Sequence, residues 1–251
     1  MPEVIVFAAG GYRYIKGPFQ YSAGVAAEPG YTIERVRFRQ PAPLAAGFDL
    51  IEAHLALRGR PLMAFCACEL RSPAPFSEDG FTTFNRVYVG TLERWGLFKN
   101  DTNPVARSNV CPAVAPPPTP SVYAFAYTVP TVAGTAASFI TAGNAETQEG
   151  RGSYRERTVR YGDTSPAGLH EKARFVLAEQ ERRMAALGAD WRAATATQVY
   201  TVHDFHPFIA DELAARGAMP AGVTWHYARP PVAGLDYEMD TRGVERELVI
   251  G

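Results

Sequence analysis

Cysteine is scarce, with three residues in 251, and an odd count at Cys66, Cys68 and Cys111 excludes the paired framework that holds small secreted domains together. Charge of either sign is not in excess. Lysine plus arginine number 25 against 26 acidic residues, a formal net charge of -1. No broad field therefore draws in nucleic acid or an anionic membrane, and a charged ligand must be met by local groups. No stretch approaches the roughly 18 apolar residues of a membrane span. The opening Met1-Pro2-Glu3-Val4-Ile5-Val6-Phe7 lacks the basic segment and apolar core of a secretory leader, so a cytoplasmic protein is expected. What the chain does have is 47% hydrophobic residues together with 20 prolines and 22 glycines. Those prolines and glycines punctuate clear apolar segments, the pattern of a folded, turn-rich chain with small molecules or copies of itself as partners.

The first half opens with short β-rich pieces, Val4 to Phe7, Phe19 to Ala26 and Tyr31 to Phe38, set apart by Gly10-Gly11 and Glu28-Pro29-Gly30. From Leu44 to Leu57 the residues Leu44, Phe48, Ile51 and Leu55 recur at helical spacing, and Gly59 ends the run. Pro61 to Leu70 reads as a buried strand. Ser77 to Trp95 reads as a second helix with Phe84, Val87, Tyr88, Leu92 and Trp95 on one stripe. Two strands follow, Pro104 to Val114 and Val122 to Thr128, joined by the stiff Pro116-Pro117-Pro118-Thr119-Pro120 segment.

The same order of elements starts again after Val129-Pro130-Thr131-Val132-Ala133-Gly134. Phe139 to Ala145 and Tyr154 to Tyr161 read as strands. Pro166 opens a helix whose buried face is Ala173, Val176, Leu177, Met184 and Leu187, with Glu171, Lys172, Glu179, Glu181, Arg182 and Arg183 solvated and Gly188 as its stop. Thr195 to His203 reads as a strand, Phe205 to Ala215 as a helix, and Val223 to Ala228 with Val232 to Met239 as a closing strand pair. The copies also match locally, Ala115-Pro116-Pro117-Pro118 with Ala228-Arg229-Pro230-Pro231 and Tyr21-Ser22-Ala23-Gly24 with Ile140-Thr141-Ala142-Gly143. The expectation is an α/β (α+β) chain of two tandem repeats, residues 1-131 and 132-251, each a mixed sheet packed on two helices.

The stretch Phe81-Thr82-Thr83-Phe84-Asn85-Arg86-Val87-Tyr88, followed by Pro104-Val105-Ala106-Arg107-Ser108-Asn109-Val110, resembles the reactive-intermediate deaminase (Rid) superfamily, and its tandem layout resembles the deaminases of 2-aminomuconate in aromatic-ring degradation. The resemblance implies a chorismate-mutase-like fold for each repeat and hydrolysis of an enamine or imine carboxylate to a carbonyl compound plus ammonia. It also implies a site between units of a trimeric ring, and hence a homo-oligomer of three chains or a multiple of three. No metal or organic cofactor is expected, because a protonated imine is already electrophilic.

On that resemblance Arg107 holds the substrate carboxylate, a role suited to a planar fork of donors, with Ser108, Asn109 and Tyr21 as neighbouring substrate contacts. The family's water-activating glutamate on the last strand of a unit is missing from the first repeat, where Val122-Tyr123-Ala124-Phe125 carries no acid. The second repeat lacks the arginine, having Gly222-Val223-Thr224 instead, but offers Asp236 and Glu238. Either Arg107 meets an acid from the second repeat at an interface between domains or chains, or the second repeat is a remnant and Tyr123 stands in. Glu238 and His203 are the candidates for proton transfer.

Other constellations have ordinary readings. His203-Asp204-Phe205-His206 and His226 could suggest a metal, yet Asp204 is well placed to cap the next helix and no recognised ligand spacing is present. Cys66 and Cys68 sit two apart on a strand, and Cys111 lies near Arg107. The Gly10 to Pro18 segment reads as a loop that could supply Arg13 or Lys16 to a second carboxylate. Beside the deaminase reading stand a noncatalytic binder of carboxylated metabolites and a hydrolase of chorismate-like enol ethers.

Overall fold

The computed structural model describes residues 2-132, 138-150 and 152-251. The expected boundary at 129-134 runs partly over residues outside that set. In the first half the chain forms β1 (Val4–Phe7), β2 (Tyr12–Ile15), β3 (Gly24–Ala27), β4 (Tyr31–Pro43), α1 (Leu44–Leu57), β5 (Phe65–Arg71), α2 (Glu78–Arg94), β6 (Ala106–Pro112) and β7 (Ser121–Pro130). The second half forms β8 (Phe139–Thr141), β9 (Asn144–Ala145), α3 (Tyr154–Arg157), α4 (Pro166–Leu187), β10 (Ala196–Thr201), β11 (Val223–Arg229), β12 (Glu238–Gly243) and β13 (Arg246–Ile250).

The pairing pattern of the two halves is the same. In one sheet β4 lies antiparallel to β7, β7 antiparallel to β5, and β5 parallel to β6. In the other, β8 lies antiparallel to β12, β12 antiparallel to β10, and β10 parallel to β11. The sheets join edge to edge where Ala228 and Arg229 of β11 pair with Pro112 and Cys111 of β6. The terminal strands trade places. The β1-β2-β3 meander extends the second sheet through β3 and β8, and β13 adds in parallel to β4 on the first.

Burial follows that layering. Phe48, Ile51 and Leu55 of α1 and Tyr88 and Leu92 of α2 cover the first sheet, with Trp95 meeting Phe48 and Phe65 edge-on at centroid distances of 5.3 and 5.6 Å. Leu169, Val176, Leu177, Met184 and Leu187 of α4 cover the second. A third cluster with Tyr12, Val25, Ile33, Cys66, Ala106 and Ala126 draws on strands of both sheets, so the two pack face to face.

Helix starts follow local chemistry: the Ser77 and Ser165 hydroxyls accept from the amides of Gly80 and Gly168, and Gly188 closes α4 at φ 79°. Several expectations are corrected. Residues 154-161 are not a strand, because Ser153 and Glu156 form a reciprocal capping box that nucleates α3. The Gly10 to Pro18 segment is not an open loop, since it contains β2. Phe205 to Ala215 is no regular helix but a 3-10 turn over His206–Phe208 followed by a π-helical turn over Ile209–Ala214. The strand expected over Val232 to Met239 is β12, which begins at Glu238 and is followed by a further strand, β13, and Val87 is solvent-facing at 63% exposure. Lys172 and Arg183, expected on the solvated face of α4, are fully buried.

Candidate active site

Arg107 reaches the site because β5, α2 and β6 form a strand-helix-strand crossover: β6 pairs in parallel with β5, Arg107 beside Cys68, and α2 connects the two strands. Alternation along β6 turns Arg107 and Asn109 to one face and Ser108 to the other. The Arg107 guanidinium is 3% exposed and donates from Nη1 to Asn85 Oδ1 at 2.6 Å. Rings of Tyr88, Tyr21, Phe81 and Phe84 stand 4.8, 5.5, 5.6 and 5.8 Å from its carbon, an aromatic cage that holds a cation without neutralising it. Burial draws the guanidinium down from its ordinary value, opposed by Tyr88, Tyr21, Cys68 and Glu238.

A cavity of about 150 Å³ opens beside it, lined by Tyr21, Phe81, Arg107, Asn109, Tyr154 and Glu238 among others. Glu238 comes from β12, in the second half of the chain, and is 3% exposed. Burial first, then the nearby carboxyls of Asp240 and Glu146, push it well above the ordinary carboxylic value, with Arg107 and Arg71 pulling the other way. Gly143 makes room for it. A Cβ at position 143 would collide with the Glu238 carboxyl, and the Gly143 amide is spent on Arg107 O and Ser108 Oγ at 3.2 and 3.1 Å. Two polar atoms of the cavity wall, Asn109 Nδ2 and Thr147 Oγ1, have no protein partner. The site thus offers a fixed cation, a carboxyl whose protonated form burial favours, and unspent hydrogen-bonding groups around a space of metabolite size.

The remaining candidates fall elsewhere. The Ser108 hydroxyl faces away from the cavity and donates to Asp240 Oδ2 at 2.6 Å, and that carboxyl also receives Tyr200 Oη and Gln198 Nε2. His203 lies outside the lining, its Nε2 3.4 Å from Asp236 Oδ1. His226 stacks on Tyr200 at 4.8 Å and meets Gln198 Oε1 at 2.9 Å, and burial pushes it down to about 4. Arg13 points to Leu187 O at 2.6 Å and Glu28, and Lys16 pairs with Glu3 at 3.1 Å. Tyr123 lies under the Arg71 guanidinium at 4.0 Å, away from the cavity. All three thiols are buried, Cys111 pushed up to about 12, and among the described residues no group of three His, Cys, Asp or Glu side chains is placed to hold a metal ion. Asn85, Gly143 and Arg183, which shape the site, were not singled out from the sequence.

The fold has a solved counterpart. A chorismatase crystal structure superposes with a TM-score of 0.52 over 92% of this chain and 79% of that chain at 13% identity, a likeness of architecture. The YjgF gene product of E. coli aligns over 43% of this chain and 81% of its own at 19% identity, TM-score 0.32. The sequence is decisive: residues 4–248 match the 2-aminomuconate deaminase CnbZ family, and the chain belongs to it. A 2-amino-5-chloromuconate deaminase from Comamonas testosteroni is 54% identical over 251 residues, all of both chains.

Proposed function

We propose that the protein is a deaminase that hydrolyses an aminomuconate-type enamine carboxylate to the corresponding 2-oxo acid and ammonia, in the breakdown of aromatic compounds. The observation that carries this reading is one cavity holding both Arg107 and a buried Glu238 whose carboxyl is pushed up by burial, within a chain of the 2-aminomuconate deaminase family. The pair supplies from two halves of one chain what neither half has alone. Family membership favours this reading over a noncatalytic binder or an enol-ether hydrolase.

Arg107 takes the carboxylate next to the amino-bearing carbon, with Asn85 fixing the plane of the guanidinium. Glu238 gives its proton to the enamine carbon, and the C=C electrons form that new C–H bond while the nitrogen lone pair makes the C=N bond of an iminium. The resulting carboxylate then takes a proton from water as the oxygen adds to the iminium carbon. Protonated again, Glu238 passes that proton to the nitrogen of the carbinolamine, and recovers it from the hydroxyl as C=O forms and ammonia leaves. One water is consumed, one ammonia released, and Glu238 ends as it began. Asn109 and Tyr21 line the bound substrate, and Ser108 acts from behind by holding the Gly143 amide.

The same reading takes residues 1-131 and 132-251 as two duplicated units, three chains or a multiple of three as the assembly, and the cytoplasm as the compartment. Mass photometry of the purified protein tests the assembly. The activity is tested by supplying 2-aminomuconate generated in situ and following ammonia together with loss of the dienamine absorbance. Wild-type protein releases ammonia, and Arg107→Gln and Glu238→Gln lower the rate by about a hundredfold or more. Full turnover by either variant refutes its assigned role.

A further inference from the structure

The cavity has a second buried guanidinium. Arg183 of α4 is 1% exposed and lines the cavity with Arg107. Three of its contacts fix the side chain to the fold: Nε donates to Glu179 Oε1 at 2.7 Å, and Nη1 to Ala142 O at 3.1 Å and Ala23 O at 3.5 Å. The backbone places it near Arg107, because Ala142 O takes Arg183 while the next amide, Gly143 N, goes to Arg107 O. The fourth contact differs in kind. Nη2 meets Glu149 Oε1 at 3.3 Å, and Glu149 is 45% exposed and also lines the cavity. A buried cation whose outward edge is covered by a half-exposed carboxylate is a site that an incoming carboxylate can take over by exchange.

The charge balance agrees. Among the described lining residues stand Arg107, Arg157 and Arg183 against Glu149 and Glu238, and burial favours the uncharged form of Glu238. That leaves excess positive charge, suited to a ligand with two negative ends. Arg157 is the less apt second anchor, since it is only partly buried and spends Nε and Nη1 on the carbonyls of Gly152 and Gln148 within its own loop.

We propose that Arg183 is the anchor for the distal carboxylate of a dicarboxylate substrate, taking it on Nη2 in place of Glu149, and so selects diacids over monoacids. The assignment rests on the reading of Arg107 as the first carboxylate anchor. Binding tests it independently of turnover. Isothermal titration compares hexa-2,4-dienedioate with hexa-2,4-dienoate, two dienes without an amine that differ in the second carboxylate. Wild-type protein binds the diacid at least about tenfold more tightly, Arg183→Gln reduces that ratio to about threefold or less, and Arg107→Gln weakens both ligands. An unchanged ratio in Arg183→Gln, or a ratio that collapses in Arg157→Gln instead, overturns the assignment, as does equal binding of both acids by the wild type. Should Arg183→Gln not fold, Glu149→Gln decides. Loss of the competing carboxylate tightens the diacid by about threefold more than the monoacid, and no such gain overturns the proposal. A wild-type protein that discriminates between the acids but releases no ammonia would sink the deaminase reading and leave this one standing.

Discussion

Replacing Asn85 by alanine removes the one side chain among the described residues that hydrogen-bonds the Arg107 guanidinium, through a buried 2.6 Å contact. A hydrogen bond to a charged group contributes about 1.5–3 kcal/mol, equivalent to roughly ten- to a hundredfold in rate. The charge itself should stay in place, because the rings of Tyr88, Tyr21, Phe81 and Phe84 surround it at 4.8 to 5.8 Å. What is lost is the plane of the fork, and with it the alignment of the reacting carbon against Glu238. The loss therefore falls more on kcat than on KM. Steady-state ammonia release, with KM and kcat resolved, checks this. Thermal unfolding of the same samples separates it from a general loss of fold, for which a buried polar-to-alanine change costs about 1–3 kcal/mol. A folded Asn85→Ala variant with kcat within twofold of wild type, or one that loses only KM, would show that Asn85 does not orient the arginine.

Two further outcomes follow from Glu238. Its carboxyl is raised in the folded state from an ordinary value of 4.5, so between that value and the folded one the native protein holds a proton that the unfolded chain releases, and stability falls as pH rises through this window. Glu238→Gln removes the share of the slope that this carboxyl contributes, read as a difference between thermal melts of variant and wild type from pH 4 upward, and the wild-type rate falls as pH rises through the folded value. Gly143→Ala drives a methyl into the Glu238 carboxyl. It should cut kcat at least about tenfold while costing roughly 1–3 kcal/mol of stability, and a variant with normal kcat would mean that the carboxyl need not lie against that backbone.

Where local chemistry and burial agree, the sequence is easy to read. The Leu44 to Leu57 helix is found with both ends correct, because Phe48, Ile51 and Leu55 are buried at helical spacing. Arg107 and Glu238 were legible as an arginine and an acid split between repeats, and they line one cavity. Arg183 was not, since a stretch reading Glu179, Glu181, Arg182, Arg183 looks like a solvated helix face. The signal was available nonetheless: Lys172, Val176, Gln180, Arg183 and Leu187 fall on one stripe, and all five are buried. Lys172 sits between Glu146 and Asp236, partners about 26 and 64 positions away that only the fold brings together. Over residues 154-161 the Ser153-x-x-Glu156 cap wins over the strand pattern, because it satisfies the first amides of a helical turn. Strand β13 pairs with β4 more than two hundred positions away, a partnership that no local pattern announces.

The exchange of terminal strands has a bearing on what the chain can lose. The β1-β2-β3 meander from the start of the chain edges the sheet of the later half, and β13 from its end edges the sheet of the earlier half. Cutting the chain at its middle would strip an edge from each sheet as well as part Arg107 from Glu238. Neither half is therefore dispensable, since each completes a sheet of the other and both line the one cavity.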